Sequence, residues 1–169
     1  PVVSALGHTY NSAHLCTRCN EQATFTIAGD GAHLGTEWDT GNTANDMTYA
    51  DGVYTKVYTN VAAGSYKLKV ARDHDWGTAY PSSDKSVSVS KSGSILTITL
   101  NGTTVTTKVE APVAKIGAVN YMDLQSAIDA AVDGDTITLL DNYSGDVTFV
   151  RAADVNITLD GGNYTFSGS

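Results

Sequence analysis

The sequence predicts a mostly β protein, in which an antiparallel β-sandwich is followed by a short helix and further short strands. The chain of 169 residues contains 16 glycines and only 3 prolines, and it is rich in Thr, Ser and Val. Short alternating runs separated by turn residues fill residues 21–110, and one helical stripe of apolar residues follows them. This length allows one ordinary domain or two small ones.

Five short runs between residues 21 and 110 predict the strands of the sandwich. They are ATFTIAG (23–29), VYTKVYTN (53–60), SYKLKVA (65–71), SILTITL (94–100) and TTVTTKV (103–109). The turn Ala62-Ala63-Gly64 predicts a hairpin between the second and third runs. Asn101-Gly102 is the strongest hairpin signal in the chain and joins the last two. The aperiodic, Gly/Asp/Asn-rich stretch 30–52 predicts a long surface loop, a common place for binding residues.

A helix is predicted after the pattern changes near Pro112. Its apolar stripe has the spacing i, i+3, i+4, i+7 and consists of Leu124, Ala127, Ile128 and Ala131. Asp123 can act as its N-cap, and Gly134 can end it. Short runs at 136–140, 147–150 and 155–160 then follow in a regular rhythm without a return hairpin, which favours a parallel β-helix.

These patterns divide the chain into three parts. Residues 1–20 form a short segment that holds both cysteines, residues 21–110 form the sandwich, and residues 113–169 form the capping helix and the first strands of a β-helix. The abrupt start and the end in mid-pattern indicate a fragment of a longer protein. No signal peptide and no apolar run of transmembrane length occurs in the sequence.

The acidic charge and the missing motifs exclude several functions. The net charge of −8 argues against a nucleic-acid partner and against binding to anionic membranes. No nucleophile elbow, P-loop or dinucleotide fingerprint is present. A glycosidase needs two carboxylates placed across the scissile bond, and none of the many acidic residues stands out as such a pair. We therefore predict that the chain has no enzymatic activity and needs no cofactor for its function.

The two tryptophans are the strongest indication of function. Trp38 and Trp76 lie in polar, loop-like stretches, and an exposed indole is costly to leave in water without a role. The face of a sugar ring stacks on a flat aromatic side chain while its hydroxyls bond to polar neighbours. The alternative is that each indole only packs a loop onto the sandwich.

Residues 23–109 resemble the X25-type carbohydrate-binding module. Such modules occur beside pullulanases and amylases and in starch-adherence (amylosome) proteins of gut Firmicutes. The matching segments, in order, are FTIAGD, GTEWD and MTYADGVYTKVYTNVAAGSYKLKVARDHDWGTAY. The resemblance implies an immunoglobulin-like β-sandwich that binds starch, amylopectin and maltooligosaccharides without catalysis.

The same resemblance assigns binding residues. Trp38 and Trp76 would form the stacking platform, and Lys69 would be its polar neighbour. Tyr80, Arg72 and Asp73 are weaker assignments. From the residues alone, Tyr80 can equally lie at the edge of the core. Lys69 can lie on a solvated strand face, and Arg72 with Asp73 can form a surface charge cluster. His74 is predicted to be a surface residue without a partner.

Residues 113–160 are similar to the start of right-handed β-helix domains in bacterial surface proteins. The phrase that carries this likeness is VAKIGAVNYMDLQSAIDAAVDGDTITLLDN. It implies that the helix caps the open end of a solenoid. Together the two resemblances imply an extracellular or cell-surface protein whose other modules are the partners of this one.

The first twenty residues contain candidate metal ligands. Cys16 and Cys19 form a Cys-x-x-Cys pair, which with His8 and His14 can complete a tetrahedral zinc site. Similar segments recur as small zinc-knuckle-like units in bacterial surface proteins, where a Cys often stands at the place of Leu6. His14 is the candidate substitute. A Cys16–Cys19 disulfide and two free thiols are the alternatives, whereas a thioredoxin-type site lacks its βαβ context.

The acidic residues of the long loop are the candidates for a calcium site. They are Asp30, Glu37, Asp39, Asp46 and Asp51. Because they lack the spacing of an EF-hand, a solvated acidic loop is the competing interpretation.

The sequence thus predicts a non-catalytic α-glucan-binding module of an extracellular bacterial protein. Two alternatives stay open. The chain can be the edge of a polysaccharide-degrading enzyme, or it can be a cell-surface spacer or adhesin whose tryptophans only pack.

Overall fold

The computed structural model describes residues 7–34, 37–150 and 155–168. It is mostly β, as predicted. The first seven strands are β1 (Phe25–Gly29), β2 (Thr48–Ala50), β3 (Val53–Val61), β4 (Gly64–Arg72), β5 (Asp75–Val89), β6 (Ser94–Asn101) and β7 (Thr104–Glu110). A short helix α1 (Gly31–Leu34) and a 3₁₀ turn (Thr43–Asn45) lie between β1 and β2.

These strands form two sheets with the orders β1-β4-β5 and β2-β3-β6-β7. β1 pairs antiparallel with β4, with Phe25 opposite Arg72. Phe25 on β1 and Tyr54 on β3 bury their rings against each other, with centroids 4.7 Å apart. The strands supply a core of fully buried residues, which includes Phe25, Ile27, Leu68, Val70, Leu96, Ile98 and Leu100. The two sheets therefore pack as a β-sandwich.

The hairpin predicted at Ala62-Ala63-Gly64 is wrong. β3 and β4 follow each other in sequence, yet they belong to different sheets. Each strand has one apolar face, with Val61 buried on β3 and Leu68 buried on β4. A hairpin would place both apolar faces on one sheet, whereas crossing between the sheets lets strands from both contribute to one core.

The hairpin at Asn101-Gly102 is confirmed, since β6 and β7 are neighbours in one sheet. Asn101 is the last residue of β6, and Gly102 takes the positive φ of 55° that the turn requires. The stretch 30–52 is more ordered than a surface loop. It contains α1, the 3₁₀ turn and β2, and Asn45 Nδ2 donates to the Ile27 carbonyl at 3.1 Å. This contact helps to explain why β1 is buried on both faces.

The remaining elements follow in residues 110–168. They are β8 (Ala114–Ile116), β9 (Val119–Tyr121), α2 (Leu124–Ala130), β10 (Thr136–Leu139), β11 (Tyr143–Ser144), β12 (Thr158–Asp160) and β13 (Phe166–Ser167). The predicted helix is confirmed as α2, and its whole apolar stripe is buried against Ala114, Ile137 and Leu139. β10 pairs parallel with β12, and β11 pairs parallel with β13.

The strand predicted at 147–150 is absent from the structure. Gln125 on α2 takes the place of a strand partner there. Its side chain accepts from the Thr148 N–H at 2.7 Å and donates to the Thr148 carbonyl at 2.9 Å. The Gln125 side chain therefore forms the two backbone hydrogen bonds that a neighbouring strand would otherwise form with Thr148.

The contacts group the chain into two units. The first comprises Pro1–Thr59, Gly64–Ser88 and Leu96–Val109, and the second comprises Asn60–Ala63, Val89–Ile95 and Glu110–Ser169. The predicted boundaries at residues 20, 110 and 113 stay predictions. Neither helix in the described ranges is long and apolar enough to cross a membrane.

Asp123 gives a testable contribution to the stability of α2. Its carboxylate accepts from the Ser126 N–H at 2.9 Å, which holds its pKa below the ordinary value. We expect Asp123→Ala to lower the free energy of unfolding by about 0.5–2 kcal/mol at pH 7, measured by urea titration. Because the folded pKa is the lower one, this contribution is present above about pH 3.9 and is lost as the pH falls further. Asp129→Ala on the same helix is the control, and an equal effect of both variants would contradict the assignment.

Candidate functional site

The turn between β4 and β5 places Trp76. Asp73 and His74 occupy the turn with φ of 54° and 57°, and β5 begins at the next residue. A two-residue hairpin turn with both residues in the left-handed region matches the twist of the strands it joins. Asp and His tolerate this region better than most residues. Trp76 is therefore the second residue of strand β5 and 46% exposed, so its predicted place in a loop is wrong.

Trp38 lies in the turn that follows α1. Its backbone N–H donates to the Gly29 carbonyl at 2.9 Å, which ties this turn to the end of β1. Gly29 is needed there because a Cβ would clash with the Lys67 carbonyl oxygen of the neighbouring strand. Trp38 has a φ of 51°, which is unusual for a bulky side chain. Backbone strain of this kind is often found at functional sites.

The fold brings the two tryptophans together. Their ring centroids are 6.3 Å apart, and their planes are inclined by 36°. Trp38 is half-buried and Trp76 is exposed. The pair, which we call the tryptophan platform, therefore combines two aromatic rings set at an angle with an exposed aromatic surface.

Hydrogen bonds join the two segments that carry the tryptophan platform. The Thr40 hydroxyl donates to the His74 carbonyl at 3.0 Å. The His74 imidazole lies 2.7 Å from the Asp46 carboxylate, which also accepts from the Thr26 hydroxyl on β1. His74 thus has hydrogen-bond partners. The prediction that it is a surface residue without a partner is wrong. These contacts fix the β4–β5 turn against the stretch that contains Trp38.

Three positioning residues of the tryptophan platform were not predicted from the sequence, namely Thr40, Asp46 and His74. One signal was available, because Asp73-His74 stands between two strand-like runs at the spacing of a two-residue hairpin. The contact of His74 with Asp46 joins residues 28 positions apart. Such a pairing follows from the packed fold and not from local sequence.

Lys69 is half-buried on β4 and uses its ammonium group within the sandwich. Nζ donates to the carbonyl oxygens of Pro81 at 3.1 Å and Ser82 at 2.5 Å. It therefore holds a part of β5 in place. A role towards a ligand would have to use its remaining N–H group.

The three weaker binding assignments have other contacts in the structure. Tyr80 packs near Phe25 at 6.2 Å between ring centroids, which is the core-edge position left open above. Arg72 lies over the Tyr10 ring at 4.6 Å and donates to Thr78 at 2.9 Å. Asp73 accepts from the Thr24 N–H at 3.2 Å.

Three of the four predicted metal ligands meet near the N-terminus. Ligand atoms of His8, Cys16 and Cys19 all lie within 4.8 Å of one another, and His8 Nδ1 is 3.4 Å from Cys19 Sγ. His14 is not part of this group, which corrects the sequence prediction. Its ring is buried beside Phe25, and its Nε2 donates to the Gly102 carbonyl at 2.7 Å. Leu6, the place of the additional Cys in similar segments, lies outside the described residues.

Hydrogen bonds to sulfur shape the acidity of this group. The pKa of the Cys16 thiol is lowered to about 6, because the Arg18 backbone N–H and then the Cys19 side chain donate to its sulfur. The pKa of the Cys19 thiol is raised by the hydrogen bond that it donates to Cys16. The pKa of His8 is also raised, mainly by its hydrogen bond with Cys16.

Among the described residues, the acidic residues of the long loop do not come together as a group of three or more potential metal ligands. Within residues 7–34, 37–150 and 155–168, His8, Cys16 and Cys19 are the one group of three or more potential metal ligands. Asp46 contacts His74, and Asp30 accepts from the Lys67 N–H at 2.6 Å. These two carboxylates therefore form hydrogen bonds with different partners in different parts of the fold.

Comparison with known proteins identifies the sandwich region. Residues 24–107 match the family model described as "Pullulanase X25 domain". Among solved structures, the pullulanase from Bacillus acidopullulyticus is similar, with 26% identity and a TM-score of 0.47, over 52% of this chain and 11% of that chain. A search of curated proteins gives no match. The family match supports an X25-type module in residues 24–107, and this range contains the tryptophan platform.

Proposed function

Since residues 24–107 match the X25 domain of pullulanases, we propose that this chain is a starch-associated module that binds α-glucans without cutting them. The observation that carries the proposal is the tryptophan platform, with its two rings 6.3 Å apart and inclined by 36°. Its parent protein is proposed to be extracellular or on the cell surface, where starch and maltooligosaccharides are available.

The shape of the tryptophan platform suits a curved polysaccharide. An α-glucan chain bends, so adjacent glucose rings present their C–H faces at an angle, and two inclined indoles can each contact one of them. Aromatic stacking contributes about 1–3 kcal/mol for each ring in nucleic-acid binding proteins, which gives a scale. Two such contacts with a few hydrogen bonds correspond to a Kd of roughly micromolar to millimolar. Several modules in one protein would raise the avidity.

The acidic residues beside the tryptophan platform support binding over hydrolysis. Asp39 accepts from the Gly41 N–H at 2.8 Å, and Asp75 accepts from the Gly77 N–H at 2.6 Å. Both carboxylates thus accept a hydrogen bond from a backbone N–H two residues further along the chain. A hydrolase needs a carboxylate pair arranged across the bond to be cut, with one member kept protonated.

The second unit supports a structural role as the start of a β-helix. Three side-chain contacts each connect residues 23 positions apart, which is the spacing of one coil stacked on the next. They join Thr148 to Gln125, Asn156 to Asp133 and Thr165 to Asn142. Tyr143 and Phe166 stack in parallel at 6.0 Å between the parallel strands β11 and β13. A spacer that carries the glucan-binding module fits this arrangement.

Calorimetric titration of the intact chain tests the glucan proposal. We expect maltoheptaose to bind with a Kd of roughly micromolar to millimolar. Cellooligosaccharides of equal length should give no binding heat, because β-linked chains are extended and do not follow the inclined rings. Equal binding of both sugars, or no binding of maltoheptaose and soluble amylopectin, would contradict the proposal.

A further inference from the structure

We propose that His8, Cys16 and Cys19 bind one zinc ion that fastens the N-terminal segment, residues 7–22, in its folded conformation. The ligand atoms are His8 Nδ1 and the two Sγ atoms. This proposal is independent of glucan binding, since neither the tryptophans nor their supporting residues take part.

The spacing of the three ligand atoms fits a tetrahedral zinc ion. Zinc–sulfur bonds of about 2.3 Å and zinc–nitrogen bonds of about 2.0–2.1 Å place neighbouring ligand atoms roughly 3.5–3.8 Å apart. His8 Nδ1 and Cys19 Sγ are 3.4 Å apart, and all three atoms lie within 4.8 Å of one another. Two thiolates and an imidazole are a ligand set that suits zinc better than Mg²⁺ or Ca²⁺.

The backbone holds the ligands in place without a metal. Cys16 forms a β-bridge with Tyr10, and the Thr17 N–H donates to the Thr9 carbonyl at 2.8 Å. These contacts bring the residues after His8 beside the first cysteine. The Asn20 N–H donates to the Cys16 carbonyl at 3.0 Å, and Asn20 has a φ of 59° that closes the turn around both cysteines.

Glu21 lies close to two of the ligands. Its Oε2 atom is 3.7 Å from His8 Nε2, the ring nitrogen that is not the proposed ligand, and 3.7 Å from Cys19 Sγ. A carboxylate that accepts from the second ring nitrogen orients the imidazole and raises its basicity as a ligand. No fourth Cys, His, Asp or Glu of the described residues belongs to this group, so we assign the fourth position to water.

The N-terminal segment buries few of its side chains, so a metal cross-link would stabilise its folded conformation. Most of its described residues are exposed, and Cys16 and His14 are its buried side chains. Segments that bury little apolar surface commonly depend on a metal or a disulfide for a fixed conformation. The contact of Tyr10 with Arg72 connects the segment to β4, and a metal ion would hold the part that carries Tyr10.

Cobalt titration of the reduced, chelator-treated intact chain tests the site. We expect one equivalent of Co²⁺ to give thiolate-to-cobalt absorption and the visible bands of tetrahedral cobalt, and Zn²⁺ to displace it. His8→Ala and Cys19→Ser should abolish both signals. Glu21→Gln should keep them but weaken metal affinity about 10- to 100-fold. The His14→Gln variant should keep full affinity, since the structure places His14 outside the site.

X-ray absorption of the zinc-loaded chain provides a readout that needs no variant. Two sulfur atoms at about 2.3 Å and two nitrogen or oxygen atoms at about 2.0–2.1 Å are expected. Hydrogen exchange of amides 8–20 should slow when Zn²⁺ is added to the reduced chain. Absence of a cobalt spectrum with both thiols reduced, a spectrum that survives His8→Ala, or a stable Cys16–Cys19 disulfide that forms in the presence of Zn²⁺ would overturn the proposal.

Discussion

Replacing Trp76 with alanine is expected to weaken maltoheptaose binding about 5- to 150-fold, which corresponds to the loss of roughly 1–3 kcal/mol of stacking energy. Trp76 is 46% exposed on β5, so its removal leaves the sandwich core unchanged. Calorimetry and retention in amylopectin affinity gels measure the effect. Trp76→Phe should restore part of the affinity, because a smaller aromatic face remains.

Matched variants separate stacking from folding. Trp38→Gly removes the other indole at a position whose φ of 51° glycine adopts without strain, and it should also weaken binding. Tyr49→Ala is the control, since Tyr49 is a 41% exposed aromatic residue on β2 of the other sheet. Unchanged affinity in both tryptophan variants, or an equal loss in Tyr49→Ala, would show that the tryptophan platform does not bind the sugar.

Replacing Phe25 with alanine is expected to lower the free energy of unfolding by about 3–5 kcal/mol. Phe25 is fully buried, and its ring packs against Tyr54 at 4.7 Å and His14 at 4.8 Å. Its truncation leaves a cavity where the two sheets and the N-terminal segment meet. Urea unfolding followed by tyrosine and tryptophan fluorescence measures the change.

Val57→Ala on β3 is the control for the Phe25 variant. Val57 is 49% exposed, so its truncation should change stability by no more than about 0.5 kcal/mol. If Phe25→Ala also costs less than about 1 kcal/mol, the packing described for the sandwich core would be wrong.

Local patterns predicted the elements whose signals lie within a few residues. The stripe at Leu124, Ala127 and Ile128 gave the position of α2, because helical spacing alone sets which side chains share a face. Asn101-Gly102 gave the hairpin of β6 and β7, since a tight turn depends on few residues. The alternating runs likewise identified β1, β3, β4, β6 and β7, but not β2 or β5.

The sequence patterns predicted the wrong structure where contacts with residues distant in sequence decide the fold. The run at 147–150 resembles a strand, but the side chain of Gln125 satisfies the backbone of Thr148. The strands on either side of Ala62 and Ala63 resemble a hairpin, but burial places them in different sheets. In each case the local signal was compatible with two structures, and contacts remote in sequence selected one.

For the candidate metal site, the sequence likewise predicted some ligands but could not distinguish between two candidate histidines. The Cys-x-x-Cys pair marked Cys16 and Cys19 directly from sequence. Two histidines stood near them, and sequence spacing could not rank them. The structure buries His14 against Phe25 and leaves His8 beside Cys19. His14 also has a left-handed φ of 58°, which the sequence spacing does not reveal.

The residue patterns alone indicate a mostly β chain with X25-type features in residues 23–109, and they mark two tryptophans as its most conspicuous aromatic residues. The folded structure adds that the rings of Trp38 and Trp76 lie 6.3 Å apart on one surface. The two kinds of information differ because strand and helix patterns arise from neighbours along the chain. The tryptophan platform instead depends on a two-residue turn and on the contacts of His74 with Asp46 and Thr40, which exist only after the sheets have packed.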